Sequence, residues 1–230
     1  MNLDAAAWEA LILSLWVATW AMVLALPLAL WVAWVLARKD FWGKGLLSAL
    51  VHLPLVLPPV VTGYLLLLAF GRSAPLGRLL DNLGLGLAFH WSGAVLAAII
   101  MGFPLMVRAM RLAIEAVDPK LEEAAATLGA PRWSVFIRVT LPLILPGILA
   151  GAVMGFAKAM GEFGATITFV ANIPGQTQTL PSAIWTALQI PGGEGQALSM
   201  AALACVVALG AVLISEALAR RVAARIAGLR

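Results

Sequence analysis

Lys158 and Glu162 stand four residues apart near the end of a long apolar run, on one face of a helix. An isolated charge at the middle of a bilayer costs roughly 3 kcal/mol on insertion scales, so charges there are rare and tend to mark a path for a charged solute. A second reading is geometric. From Pro142 to Lys158 a helix rises about 24 Å, which sets the pair toward the outer edge, where a lysine stem reaches the interface. Both readings stand. Thr62, in the apolar stretch VVTGY, is a further candidate for the path. His52 and His90 lie near the ends of apolar runs, away from metal-ligand spacing, and read as interfacial residues. The single cysteine, Cys205, has no partner for an internal disulfide. No Ser-His-Asp set, paired carboxylates or Cys/His cluster stands out, which makes an intramembrane enzyme the weaker class.

The elements that must position these groups follow from composition. Of 230 residues, 63% are apolar and 11% charged, against about 25% charged in soluble domains. Mean hydropathy is +1.00. This is the composition of an all-helical integral membrane protein. A span needs roughly 20 apolar residues, and five stretches supply them: residues 10–37, 46–70, 91–110, 142–166 and 196–216. The opening MNLDAAAWEA has no basic residue, and the run after it is too long for a signal-peptide core, so it reads as a retained span. Residues 171–195 form an outer loop rich in Pro, Gly and polar groups. Its one helical piece, 181–189, aligns Leu180, Ile184, Trp185 and Leu188 and is expected to lie at the outer surface. Trp8, Trp42, Trp91 and Trp185 read as interface anchors.

Basic residues set the direction. With the N-terminus outside and the C-terminus cytoplasmic, the inner segments hold Arg38, Lys39, Lys44, Arg108, Arg111, Lys120, Arg132, Arg138, Arg220, Arg221, Arg225 and Arg230. The outer segments hold Arg72 and Arg78. The formal charge of +4 thus reports orientation and implies no nucleic-acid partner. Within the spans, Pro54, Pro58, Pro59 and Gly63 interrupt the second, freeing backbone groups that need partners in protein or a watery cavity. Gly147, Gly151 and Gly155 make a small-residue stripe on the fourth, where another helix can approach closely.

Between the third and fourth spans lies DPKLEEAAATLGAPRWSVFIRVTLP, too charged to cross a membrane. Asp118 suits an N-cap and Pro119 the first helical position. Leu121, Ala124, Ala125 and Leu128 recur at helical spacing as one stripe, with Glu123 and Thr127 opposite. Gly129 can end the helix in the left-handed conformation, and Pro131 prevents its continuation. A second short helix, PRWSVFIRVT, runs on into Leu141 and Pro142. Such a helix can rest on the inner leaflet. Two alanines in the stripe argue against that, because small side chains suit close approach to another protein.

Glu123-Ala124-Ala125, three residues, Gly129, nine residues, Val139, Thr140 and Leu141-Pro142 resemble the EAA motif of ABC importer permeases. Val139 stands where that motif prefers Ile. The resemblance implies a coupling helix inserted into a groove of a cytoplasmic ATPase, with Gly129 making the turn and Glu123 facing the partner. The chain carries no Gly-x-x-x-x-Gly-Lys-Ser/Thr phosphate loop, so ATP and Mg are expected on that partner, with no cofactor on this chain. LPLVLPPVVTGYLLL, FPLMVRAMRLAIEAVDP and AKAMGEFGATITFVANIPGQTQTLP further resemble the molybdate/tungstate branch of these permeases. Sulfate/thiosulfate permeases share the Gly-Glu-Phe-Gly-Ala part. Lys158 departs from the pattern, where Arg is commoner; the charge is kept and the bidentate fork is not.

The resemblance implies a permease subunit of a bacterial inner-membrane importer, working as a homodimer with two ATPase subunits and an external substrate-binding protein. One chain has too few spans to enclose a path, and a two-fold pair is the usual closed solution. A secondary anion transporter is the alternative of a different class. It calls for internal repeats and several ionisable residues at the midplane, and the chain has one charged pair and no convincing repeat. A membrane scaffold would not need a docking helix with this spacing.

Overall fold

The computed structural model describes residues 5–226, and every regular element among them is helical. Arg230 and the side chain of Arg225, two of the inner basic residues, lie outside what is described.

Helix α1 (Ala5–Arg38) is apolar all round, yet buries only one side. Ala7, Ser14, Ala18, Ala21, Ala25, Ala29 and Ala33 advance by helical spacing along that side. Helix α5 (Trp91–Glu115) packs on it and is itself rich in small buried residues, among them Ala94, Ala97 and Ala98. Lipid supplies no hydrophobic drive between helices, so close backbone approach through small residues has to hold them. The opposite side of α1 shows Trp16, Trp20, Leu24, Leu28 and Trp31 to the surroundings.

The second span is two helices, α2 (Lys44–Val56) and α3 (Pro59–Phe70), bent by 113°. The expected stretch 46–70 is thus broken at two of the prolines that were expected to interrupt it. Pro58 and Pro59 have no N–H to donate, and a residue before proline is pushed to extended backbone. Leu57 (ψ 140°) and Pro58 (ψ 134°) adopt it, and the helix restarts with Pro59 in its first turn. A short helix that was not anticipated, α4 (Pro75–Asn82), follows.

Past α6 (Pro119–Thr127), α7 (Arg132–Val135) runs through a π-turn at Phe136–Thr140 into α8 (Leu141–Met160). Arg132–Met160 is one rod of 29 residues. Its stripe of glycines faces α5. A Cβ on Gly155 would stand 2.7 Å from Met106 Sδ, one on Gly151 would stand 3.2 Å from the Met106 carbonyl, and Gly147 abuts Ala113. The expected span 142–166 is corrected: the helix stops at Met160 and restarts as α9 (Gly164–Val170).

The loop beyond α9 is tied down. Leu180 N donates to Ser14 Oγ of α1 at 2.7 Å, and Asn172 Nδ2 donates to Thr186 Oγ1 at 2.7 Å. Helix α10 (Leu180–Leu188) buries Leu180, Ser182, Ala183 and Ala187 and packs on α1 and α11 (Glu194–Ile226). It is docked on the bundle through Leu180, Ser182, Ala183 and Ala187, while Trp185 and Leu188 of the expected stripe stay exposed.

One contact fixes the path of the bent pair. Arg38, the last residue of α1, reaches the Val117 carbonyl and Glu122, just past the end of α5. Trp91, at the start of α5, lies 6.2 Å from Trp16 in the other half of α1. The chain from Lys44 to Trp91 must therefore travel the length of the bundle, and α2 with α3 makes that passage.

Candidate functional site

Two constellations follow from this frame, one where the two helix breaks meet and one at the loop between α5 and α8. At the loop, Asp118 Oδ1 accepts from Lys120 N at 3.0 Å and caps α6, with Pro119 in the first turn. The other end closes on Gly129, at φ +84°. Gly129 N donates to Ala126 O (3.0 Å) and Ala130 N to Ala125 O (3.3 Å), the paired bonds by which a left-handed residue satisfies the last carbonyls of a helix. A Cβ at Gly129 would meet nothing within 4 Å, so the demand for glycine there is conformational and not steric.

Helix α6 buries none of its residues in this chain. Glu123 and Ala124 are exposed and Ala125 is half-buried. Leu121 is exposed, Leu128 is 90% exposed, and Trp133 of α7 is 72% exposed. Leu141 and Pro142 are half-buried at the foot of α8, with Leu141 against the core around Ile144. The stripe thus points away from the bundle. One flank of α6 is bonded inward through Glu122, which accepts from Thr140 Oγ1 at 2.7 Å and pairs with Arg38 at 3.3 Å. Sequence reasoning passed over Glu122 and Thr140 and counted Arg38 only as an orienting charge. A pair 84 residues apart leaves no local spacing to read.

At the breaks, α3 and α9 lie side by side. A Cβ on Gly63 would fall 2.5 Å from the Ala165 carbonyl, and one on Gly164 would fall 2.7 Å from Pro59 Cβ. The two interruptions are therefore packed against each other. Glu162 lies in the second interruption, between α8 and α9. Its Oε1 accepts from Ala165 N at 2.9 Å, satisfying a free N–H at the start of α9. Its Oε2 pairs with Lys158 Nζ at 2.9 Å. The Glu162 side chain is 2% exposed and that of Lys158 30%. The buried Thr62 hydroxyl has no hydrogen-bond partner among the described residues. Thr62 adjoins Gly63 in α3, next to the contact with Ala165. Helix α9 continues beyond the pair until Val170 meets Gly93 at the start of α5. The pair is thus set back from the end of the bundle. Among the described residues, no group of three His, Cys, Asp or Glu side chains is placed to hold a metal.

A helical bundle with four long apolar helices and a bent pair, its two interruptions packed together, has the build of an integral membrane protein. The chain belongs to the family described as the binding-protein-dependent transport system inner membrane component, whose model matches residues 25–228. It is accordingly an inner-membrane transport subunit. It is 57% identical over 214 residues to the molybdenum transport system permease protein ModB of Escherichia coli (strain K12), covering 93% of each chain. To the protein of the same name from Haemophilus influenzae it is 54% identical, again over 93% of each. Among solved structures, a bacterial ABC transporter involved in the import of the acidic polysaccharide alginate matches with TM-score 0.75 at 21% identity. That match covers 95% of this chain and 80% of the other, and it bears on the fold alone.

Proposed function

We propose that this chain is the membrane-spanning subunit of an ATP-driven importer of molybdate or tungstate, working as a pair of identical subunits. The observation that carries the substrate class is the 57% identity to a molybdenum permease along 93% of both chains. Family membership takes away the secondary-carrier reading. The exposed stripe of α6, capped at Asp118 and closed at Gly129, supports a docking role toward a separate ATPase subunit, which would hold ATP and Mg. An external binding protein would deliver the anion. The basic bias supports placing α6 in the cytoplasm.

In this reading, closure of the ATPase pair draws the two α6 helices together and swings the rods Arg132–Met160, opening the bundle outward. Thr62, Lys158 and Glu162 line the path near the packed breaks. Lys158 supplies the positive charge that a dianion requires, and Glu162 holds it in place. Two arginines in the outer segments and one lysine in the spans are few donors for a tight dianion site. Selectivity therefore belongs to the binding protein.

The test is uptake of labelled molybdate in cells lacking other molybdate carriers, with the chain expressed beside its ATPase and binding protein. Saturable uptake displaced by tungstate and not by sulfate is expected. Equal displacement by sulfate would move the chain to the sulfate/thiosulfate branch.

A further inference from the structure

We infer that Glu122 is the joint through which the docking helix moves the bundle, a positioning residue of coupling and not a contact of the ATPase. The inference rests on the docking role of α6. Three elements far apart in sequence converge on the Glu122 carboxylate. Arg38 Nη2, from the last turn of α1, lies 3.3 Å from Oε1. Thr140 Oγ1, from the π-turn that opens the long rod, donates to the same oxygen at 2.7 Å. Glu122 itself lies in the first turn of α6, where a carboxylate also suits the helix dipole. Arg38 Nη2 further donates to the Val117 carbonyl at 3.3 Å, tying in the end of α5.

Helix α6 buries no residue of its own and packs on α7 and the π-turn, so these bonds are what tie it to α1 and the end of α5. The neighbouring Glu123 points outward and is exposed. The two adjacent glutamates thus divide the work, Glu123 toward a partner and Glu122 toward the bundle. The pair is half-sheltered, with side-chain exposures of 18% for Arg38 and 26% for Glu122. Arg38 Nε is buried without an acceptor, so the guanidinium holds through one nitrogen where a fork could hold through two. Such a contact transmits a pull and can still adjust its grip as the rod turns.

The experiment uses the full complex of this chain, its ATPase and its binding protein in proteoliposomes, reading ATP hydrolysed per molybdate imported. Glu122→Gln, Arg38→Ala and Thr140→Val should keep the ATPase bound while the ATP-to-anion ratio rises about fivefold or more, the lower end of ordinary site-to-site coupling. Thr140→Val keeps the side-chain shape and guards against a folding defect. The exchange Arg38→Glu with Glu122→Arg should bring the ratio back toward wild type. A wild-type ratio in all three single variants overturns the inference. So does loss of the ATPase from Glu122→Gln, which would make Glu122 a docking contact. Failure of the docking reading shows separately, as a Leu128→Asp protein that binds its ATPase and imports normally.

Discussion

Gly129 offers the cleanest perturbation, because a side chain there meets only open space and the result isolates backbone conformation. At φ +84° an L residue costs about 1–2 kcal/mol, and a β-branched one is stiffer still. Relief requires giving up the bonds from Gly129 N to Ala126 O and from Ala130 N to Ala125 O. The closing turn of α6 then opens in a fraction of molecules. The bundle is untouched, since α6 contributes nothing to its buried core. Because 1.4 kcal/mol is about a factor of ten, and only the closed turn docks, apparent affinity for the ATPase should fall about 5- to 30-fold in Gly129→Val. Gly129→Ala should lie between, and Gly129→Asn should lose least, since asparagine visits this conformation routinely. Titrating labelled ATPase against the solubilised permease variants measures the series. A Gly129→Val protein with wild-type affinity and normal uptake removes the docking role from this loop; affinities out of the order Asn, Ala, Val refute the conformational explanation.

Lys158→Ala should abolish uptake while Lys158→Arg retains it, because removal leaves a buried carboxylate without its counter-charge, an expensive condition; equal uptake by both would detach the pair from transport. Gly63→Ala drives a methyl group against the backbone of Ala165 and should destabilise by about 1–3 kcal/mol, seen as a Tm lower by several degrees in detergent. Gly45→Ala, which meets open space, serves as the unchanged reference, and a Tm unaffected by Gly63→Ala would mean that α3 and α9 are not in contact. For sidedness, single cysteines at Ala5 and Gly192 should react with an impermeant thiol reagent added to intact cells and one at Ala126 should not; labelling at Ala126 would reverse the orientation.

The parts of this fold that are legible in sequence are those set by near neighbours. Asp118, Pro119 and Gly129 define both ends of α6 within a dozen residues, and the structure places the caps there. The apolar runs locate the spans, and Pro58-Pro59 marks the bend in the second. The 113° between α2 and α3 was not readable, because proline dictates that a helix stops and not where its successor points. Nor was the stop after Met160 read: Gly161-Glu162-Phe163 carries no proline, and although Glu162 bonds the N–H of Ala165 only three residues on, the packing of α9 on α3 that accompanies the break has no local spacing to show it. In helix α10 only part of the expected stripe is buried: Leu180 lies inside with Ser182, Ala183 and Ala187, while Trp185 and Leu188 point outward.

The unbroken run Arg132–Met160 has a mechanical consequence. At 1.5 Å per residue, 29 residues make a strut about 43 Å long. Its compliance lies at the ends, in the Gly129–Pro131 corner and at Gly161–Phe163, and at the π-turn Phe136–Thr140 with Pro142 and Pro146 just beyond it. The strut acts as a lever arm. A lateral displacement of about 5 Å at its foot becomes a tilt of roughly 7° over that length, delivered at the far end as a change of angle beneath Glu162. Force is thereby converted to rotation without any local unfolding along the way, and the stroke at the upper end depends on where the strut is braced. Its fulcrum is the seam of Gly147, Gly151 and Gly155 against α5, so a bulkier residue in that seam should alter the length of the stroke as well as the tightness of packing.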